Sequence, residues 1–270
     1  NCDWSSDVCS SDLGTNITQS GTVSVANLSV FNATGDSVVL DSNNQFGSVG
    51  LIAAEASVTD TNDIVLSTST VSSNLTVTAG TNITQSGAVS VANLAVFNAT
   101  GDSIILDSAN DLNSVALVAT DASVTDTSDI VLSTATIGNN LTVTAGTNIT
   151  QSGAISVANL SVFNATGDSV VLDSNNQFGS VGLIAAEASV TDTNDIVLST
   201  STVSSNLTVT AGTNITQSGA VSVANLAVFN ATGDSIILDS ANDLNSVALV
   251  ATDASVTDTS DIVLSTRSEE

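Results

Sequence analysis

The residues of this chain best suited to chemistry are its carboxylates, and they recur in register. Asp121, Asp126 and Asp129 lie close together, Asp253, Asp258 and Asp261 repeat them, and Glu55, Asp60 and Asp63 hold the same places earlier. Oxygen ligands at such short spacing suit Ca²⁺. No Gly-Gly-x-Gly-x-Asp nonapeptide and no Asp-x-Asp-x-Asp-Gly loop accompanies them. They are read as a solvated acidic face, and no metal ligand is assigned. A second pairing, Asp102 with Asp107, recurs as Asp234 with Asp239 and as Asp36 with Asp41. Two carboxylates suit glycoside hydrolysis. This surface would repel an acidic polysaccharide, however, and a pair that recurs with a repeat reads as structural. Thr76 and Thr78 raise ice binding, but such a face needs Thr in every turn. Asn-x-Ser/Thr triplets abound, Asn16, Asn32, Asn74 and Asn98 among them. They are sugar acceptors in a eukaryotic secreted protein and elsewhere plain turn and strand residues.

Composition narrows the chemistry further. The 270 residues include 27 acidic ones, one basic residue and no His, for a formal charge of −26. Phosphate neutralisation needs Lys and Arg, so a nucleic-acid partner is excluded. There is no imidazole for base or metal work and no lysine for a Schiff base. The chain is therefore expected not to be an enzyme, with no catalytic residue, no cofactor-binding residue and no cofactor. A hydrophobic fraction of 42% argues against disorder despite the charge. No apolar run approaches the ~20 residues of a membrane-spanning helix.

The unusual residues sit at the ends. Cys2, Trp4 and Cys9 fall within residues 1–13, and the basic residue is Arg267. Codons for Ser10-Ser11-Asp12-Leu13 and for Arg267-Ser268-Glu269-Glu270 can be written as reverse complements. Both segments resemble translated sequencing adapters. Residues 1–13 and 267–270 are therefore expected to be non-native scars that pack against nothing specific, flanking a piece of a longer protein. A Cys2–Cys9 disulfide is the alternative.

Between the ends, repetition dominates. Gly-Thr-Asn-Ile-Thr-Gln-Ser-Gly begins at Gly14, Gly80, Gly146 and Gly212, which divides the domain into 14–79, 80–145, 146–211 and 212–266. Copies one and three are almost identical, as are two and four, while adjacent copies differ at 17 of 66 positions. The apolar runs alternate with period 2, and Val, Ile and Thr dominate them, so they are strands. Gly, Asn, Asp, Ser and Thr between them supply turn chemistry. The expected architecture is an all-β parallel β-helix over residues 14–266, a solenoid with three coils of about 22 residues per copy. Residues 66 apart, such as Ile83, Ile149 and Ile215, should then share one core column. The expected inward set is Leu94, Val96, Ile104, Leu106, Val115, Leu117, Ile130, Leu132, Leu141 and Val143. Exchange of Ser29 for Ala95 suggests an outer or loosely packed site, and Phe97 is ambiguous. Asn32, Asn98, Asn164 and Asn230 are either a turn-to-turn amide ladder or plain turn residues.

The phrases Asn140-Leu-Thr-Val-Thr-Ala-Gly-Thr-Asn-Ile-Thr-Gln-Ser-Gly153, Ala158-Asn-Leu-Ser-Val-Phe-Asn-Ala-Thr-Gly167 and Asp129-Ile-Val-Leu-Ser-Thr134 resemble filamentous-haemagglutinin-type adhesin repeats. The resemblance spans Gly14 to Thr266. It implies a right-handed β-helical shaft of a large exported bacterial surface adhesin, non-enzymatic and extracellular. Its partners would be host-cell, matrix or polysaccharide surfaces met through parts outside this chain. The alternative is a repeat module that itself binds carbohydrate or matrix through the solenoid flank, with Ca²⁺. Exposed aromatic platforms would favour that alternative, and the repeats offer only six Phe.

Overall fold

A computed structural model describes residues 8–12 and 14–265. All of the regular structure among them is β, with strands from Val8–Asp12 to Val263–Leu264, and every pairing given is parallel. No described helix is long and apolar enough to cross a membrane. The chain winds as a parallel β-solenoid of about 13 turns. Contacts group it into two compact units, one of residues up to Val131 with Thr136–Gly138, the other of Leu132–Ala135 with Asn139 onward.

Each unit is built the same way. In the first, Val49 pairs with Leu66, Ala56 with Leu75, Ser69 with Val89 and Ile83 with Ile104. In the second, Val181 pairs with Leu198, Ala188 with Leu207, Ser201 with Val221 and Ile215 with Ile236. The offset between neighbouring coils therefore varies with the corner crossed, being shorter from Val49 to Leu66 than from Ile83 to Ile104. Alternation places one row of each strand inside. Along Leu75–Ala79, Leu75, Val77 and Ala79 are buried between the half-buried Thr76 and Thr78. The inner rows stack into columns such as Ile64–Ile83–Ile104, all fully buried.

The coil averages roughly 19 residues, not the expected 22. A 66-residue copy consequently spans about three and a half coils instead of three. Residues 66 apart do not share a column, which corrects the expectation for the isoleucines. In the second unit Ile215 has Ile196 on one side and Ile236 on the other. Ile149 instead stacks on Val170. From there the Ser189–Asp173 hydrogen bond and the Ala188–Leu207 pairing carry its column past Ala186 to Ser205. The half-coil remainder sends equivalent residues within a unit to opposite flanks. The longer repeat, two copies taken together, is close to a whole number of coils.

Eight of the ten expected inward residues are buried. Leu94 and Val96 are only half-buried, while Ala95, Phe97 and Ala99 are inside. The Ser29 site is fully buried, not outer, and Phe97 is core. The phase of this one strand is thus opposite to the expectation. Phe31 and Phe46 meet edge to face at 5.7 Å, and Phe163 and Phe178 do so at 5.8 Å. Val8–Asp12 also departs from expectation, pairing in register with Leu28–Asn32 and so joining the first coil. Cys2, Trp4 and residues 267–270 lie outside the described residues, and with Cys2 so does the disulfide considered for Cys9.

The core carries one defect in two copies. The hydroxyls of Ser29 and Ser161 are buried without a hydrogen-bond partner. Ser161 stacks on Leu141, and the equivalent positions hold fully buried Ala95 and Ala227. An unpaired buried hydroxyl costs about 1 kcal/mol or more. Ser161→Ala is expected to stabilise the chain by about 1 kcal/mol in urea unfolding. A destabilised variant would show that the hydroxyl has a partner.

Candidate functional site

The ladder of backbone hydrogen bonds breaks at the corners, and the polar residues singled out from sequence gather there. The most heavily bonded group is one the sequence reasoning missed. Asn110 is fully buried. Its Oδ1 accepts from Gln85 Nε2 at 2.8 Å and from the Val89 N–H at 2.9 Å. Its Nδ2 donates to Gln85 Oε1 at 3.0 Å, to the Leu106 carbonyl at 2.9 Å and to the Thr125 carbonyl at 2.9 Å. Gln85 and Val89 belong to the coil on one side and Thr125 to the coil on the other, so one amide clamps three coils. Asn44, Asn176 and Asn242 make the same set with Gln19, Gln151 and Gln217. A signal was available. These asparagines are invariant between copies, although Asn43 becomes Ala109 and Gln45 becomes Asp111 beside them.

Beside each clamp sits a carboxylate. Asp126 Oδ2 accepts from the Leu112 N–H at 2.6 Å, and Oδ1 accepts from the Ser128 N–H at 2.8 Å. Asp60 and Asp192 do the same for Phe46 with Asn62 and for Phe178 with Asn194. All three are only 2% exposed, which corrects their assignment to a solvated face. Burial pushes their carboxyls above the ordinary range, against the pull of the backbone N–H groups. The other members of the expected triads do not converge on them as ligands. Asp63, which is exposed, accepts from the Thr81 hydroxyl and the Asn82 N–H of the next coil, and these bonds hold its carboxyl below the ordinary range. Asp195 matches it with Thr213 and Asn214. No three His, Cys, Asp or Glu side chains among the described residues come together as a metal site.

The remaining candidates resolve into local structure. Asp41, Asp107, Asp173 and Asp239 accept from the hydroxyls of Ser57, Ser123, Ser189 and Ser255. These bonds join adjacent coils. Thr78 lies over Thr59, but Thr76 lies over Ser57 and the next rank holds Val96 and Asn98, so threonine does not fill every rank. Asn32, Asn98, Asn164 and Asn230 form no ladder. Each amide oxygen instead accepts from the threonine hydroxyl two residues on. The turn then closes on a glycine at positive φ, as at Gly101 with φ 93°. All six phenylalanines are buried, and no aromatic side chain is exposed among the described residues.

A family model described as repeats of unknown function (DUF5649) matches residues 10–53, 53–119, 119–185 and 185–251. Three of these segments advance by the 66-residue period read from the sequence. No curated protein and no solved structure matches the chain.

Two outcomes follow from the corner chemistry. Asn110→Ala leaves the Val89 N–H, two carbonyls and Gln85 without partners inside the stack. A loss of about 3 kcal/mol is expected in chemical unfolding, with faster amide exchange at Val89. The buried aspartates set a pH dependence. Their folded-state pKa lies above the unfolded value, so the folded chain binds protons more readily and gains stability as pH falls through that interval. Asp63 and Asp195 act oppositely, but only once pH approaches the ordinary carboxylate value. In about 0.5 M NaCl, which screens exposed charges, Tm should therefore rise as pH falls through the interval just above the ordinary carboxylate value of about 4. A fall over that range would contradict the burial of these groups as a cost.

Proposed function

The chain belongs to the DUF5649 family of repeats of unknown function, and from that premise we propose that it serves as a non-enzymatic shaft segment of a large exported bacterial surface adhesin. It is a repeat β-solenoid scaffold, and in such folds stability is close to a sum of neighbour interfaces. Near-identical duplication of the two-copy unit then adds length without redesign. The observation that carries the proposal is the use of the polar residues. The clamping asparagines, the buried aspartates and the Asp–Ser pairs bond coil to coil. These side chains are spent on the stack. The burial of every phenylalanine counts against sugar stacking along the flank. In this reading the shaft holds a distal tip away from the cell, and contact with host, matrix or polysaccharide belongs to other parts of the protein.

Length is the direct test. Chains of two, four and six copies, measured by small-angle scattering, should lengthen linearly by about 17 Å per copy, three and a half strand spacings. A maximum dimension that levels off would sink the shaft. Export is tested separately. An antibody to the chain should label intact cells carrying the native locus, and labelling only after permeabilisation would overturn that half.

A further inference from the structure

We propose that the Asn-Ala-Thr-Gly corner, at Asn32, Asn98, Asn164 and Asn230, is an acceptor site for N-linked sugar. Asn-x-Ser/Thr triplets occur at several places in each copy, and the structure separates them. Transfer needs a reachable amide nitrogen and a triplet bent so that the hydroxyl meets the asparagine side chain.

The other triplets are engaged in the stack. Asn82 accepts from the Ser103 N–H at 3.1 Å and donates its Nδ2 to Asp63 at 3.0 Å. Asn159 donates its Nδ2 to the side-chain oxygen of Asn139. Asn74 accepts from the Leu94 N–H at 3.3 Å, and its threonine, Thr76, is fixed in a strand between Ser57 and Val96. That triplet cannot bend without unpairing the strand.

The corner triplet is already bent. Thr100 donates its hydroxyl to Asn98 Oδ1 at 2.6 Å and its N–H to the same oxygen at 3.1 Å. The Asn98 amide nitrogen donates to no group among the described residues. Thr100 and Gly101 are exposed, and the space beside Gly101 is open, with no heavy atom within 4 Å of where a Cβ would sit. The same geometry holds at Gly35, Gly167 and Gly233. Within the first unit Asn32 lies over Asp12, whereas Asn98 lies over Thr78. Successive acceptors are thus in different columns, and sugars on them would not crowd.

The reaction takes a sugar activated as its nucleotide diphosphate. Asn Nδ2 bonds to the anomeric carbon, the carbon–oxygen bond to the diphosphate breaks, and the nucleoside diphosphate leaves with the electron pair. One Nδ2 proton passes to a base of the transferase.

The folded chain would be incubated with UDP-glucose and a soluble N-glucosyltransferase that reads Asn-x-Ser/Thr. A synthetic Asn-Ala-Thr peptide shows that the enzyme is active. Peptides released by cleavage at aspartate are then read by mass spectrometry. The corner asparagines should carry hexose at roughly tenfold the occupancy of the Asn-Ile-Thr and Asn-Leu-Thr sites. Thr100→Ala should abolish transfer at Asn98, and Thr100→Ser, which keeps the hydroxyl, should retain it. Bare corners, or equal occupancy at Asn74 or Asn82, would overturn the proposal.

Discussion

A single coil of this chain cannot cover its own inner row of side chains or pair its own backbone. Both tasks fall to the coils on either side. Leu75 and Val77 are inaccessible because Ala56 and Val58 lie against them on one side and Ala95 and Phe97 on the other. The same pairings satisfy the peptide groups. Register is therefore set twice over, since a one-residue slip would turn the apolar row outward and unpair the corner side chains together. The corner glycines, the phase of the repeat and the placement of the carboxylates all follow from keeping each coil in step with the next.

The mismatch between repeat and coil is the least expected consequence. A 66-residue copy at roughly 19 residues per coil ends half a turn from where it began. Equivalent residues then face opposite flanks, and a copy succeeds only if its pattern works on either one. The substitutions between adjacent copies respect this. Val38 becomes Ile104, Phe46 becomes Leu112 and Ser29 becomes Ala95, and each of these residues is buried. The most nearly identical unit is the pair of copies, close to a whole number of coils.

Much of the fold is legible in the residue pattern, because period-2 alternation with turn residues between leaves few alternatives to a parallel solenoid. The coil length is not. Three apolar groups per copy suggest three coils, but the shortest corners hide a boundary inside a continuous strand such as Ser24–Asp60. The inner face is legible where the aliphatics are large on one side and polar on the other, as at Leu141 and Val143. It fails at Leu94 to Phe97, where both rows are apolar and the smaller residue, Ala95, points inward. The family match adds the same period and names no chemistry. The clamping asparagine is hidden for a different reason, since burial of an amide depends on partners about 15 to 25 residues away.

The composition has a structural cause beyond solubility. Where a strand bends, its N–H groups point away from the neighbouring ladder and need acceptors. A carboxylate or a side-chain amide supplies them, and lysine or arginine, which only donate, cannot. Asp126 serves Leu112 and Ser128, Asn110 serves Val89, and Gln85 serves Ser108. Each corner therefore selects acceptor-bearing residues and gains nothing from a cation. The residue types follow from this, and so does part of the charge. Residues 14–266 carry 22 acidic residues and no basic one. The same need explains why burial of Asp60, Asp126 and Asp192 is tolerated. The desolvation of each carboxylate is offset in part by two charge-assisted bonds to donors that would otherwise be orphaned inside the stack.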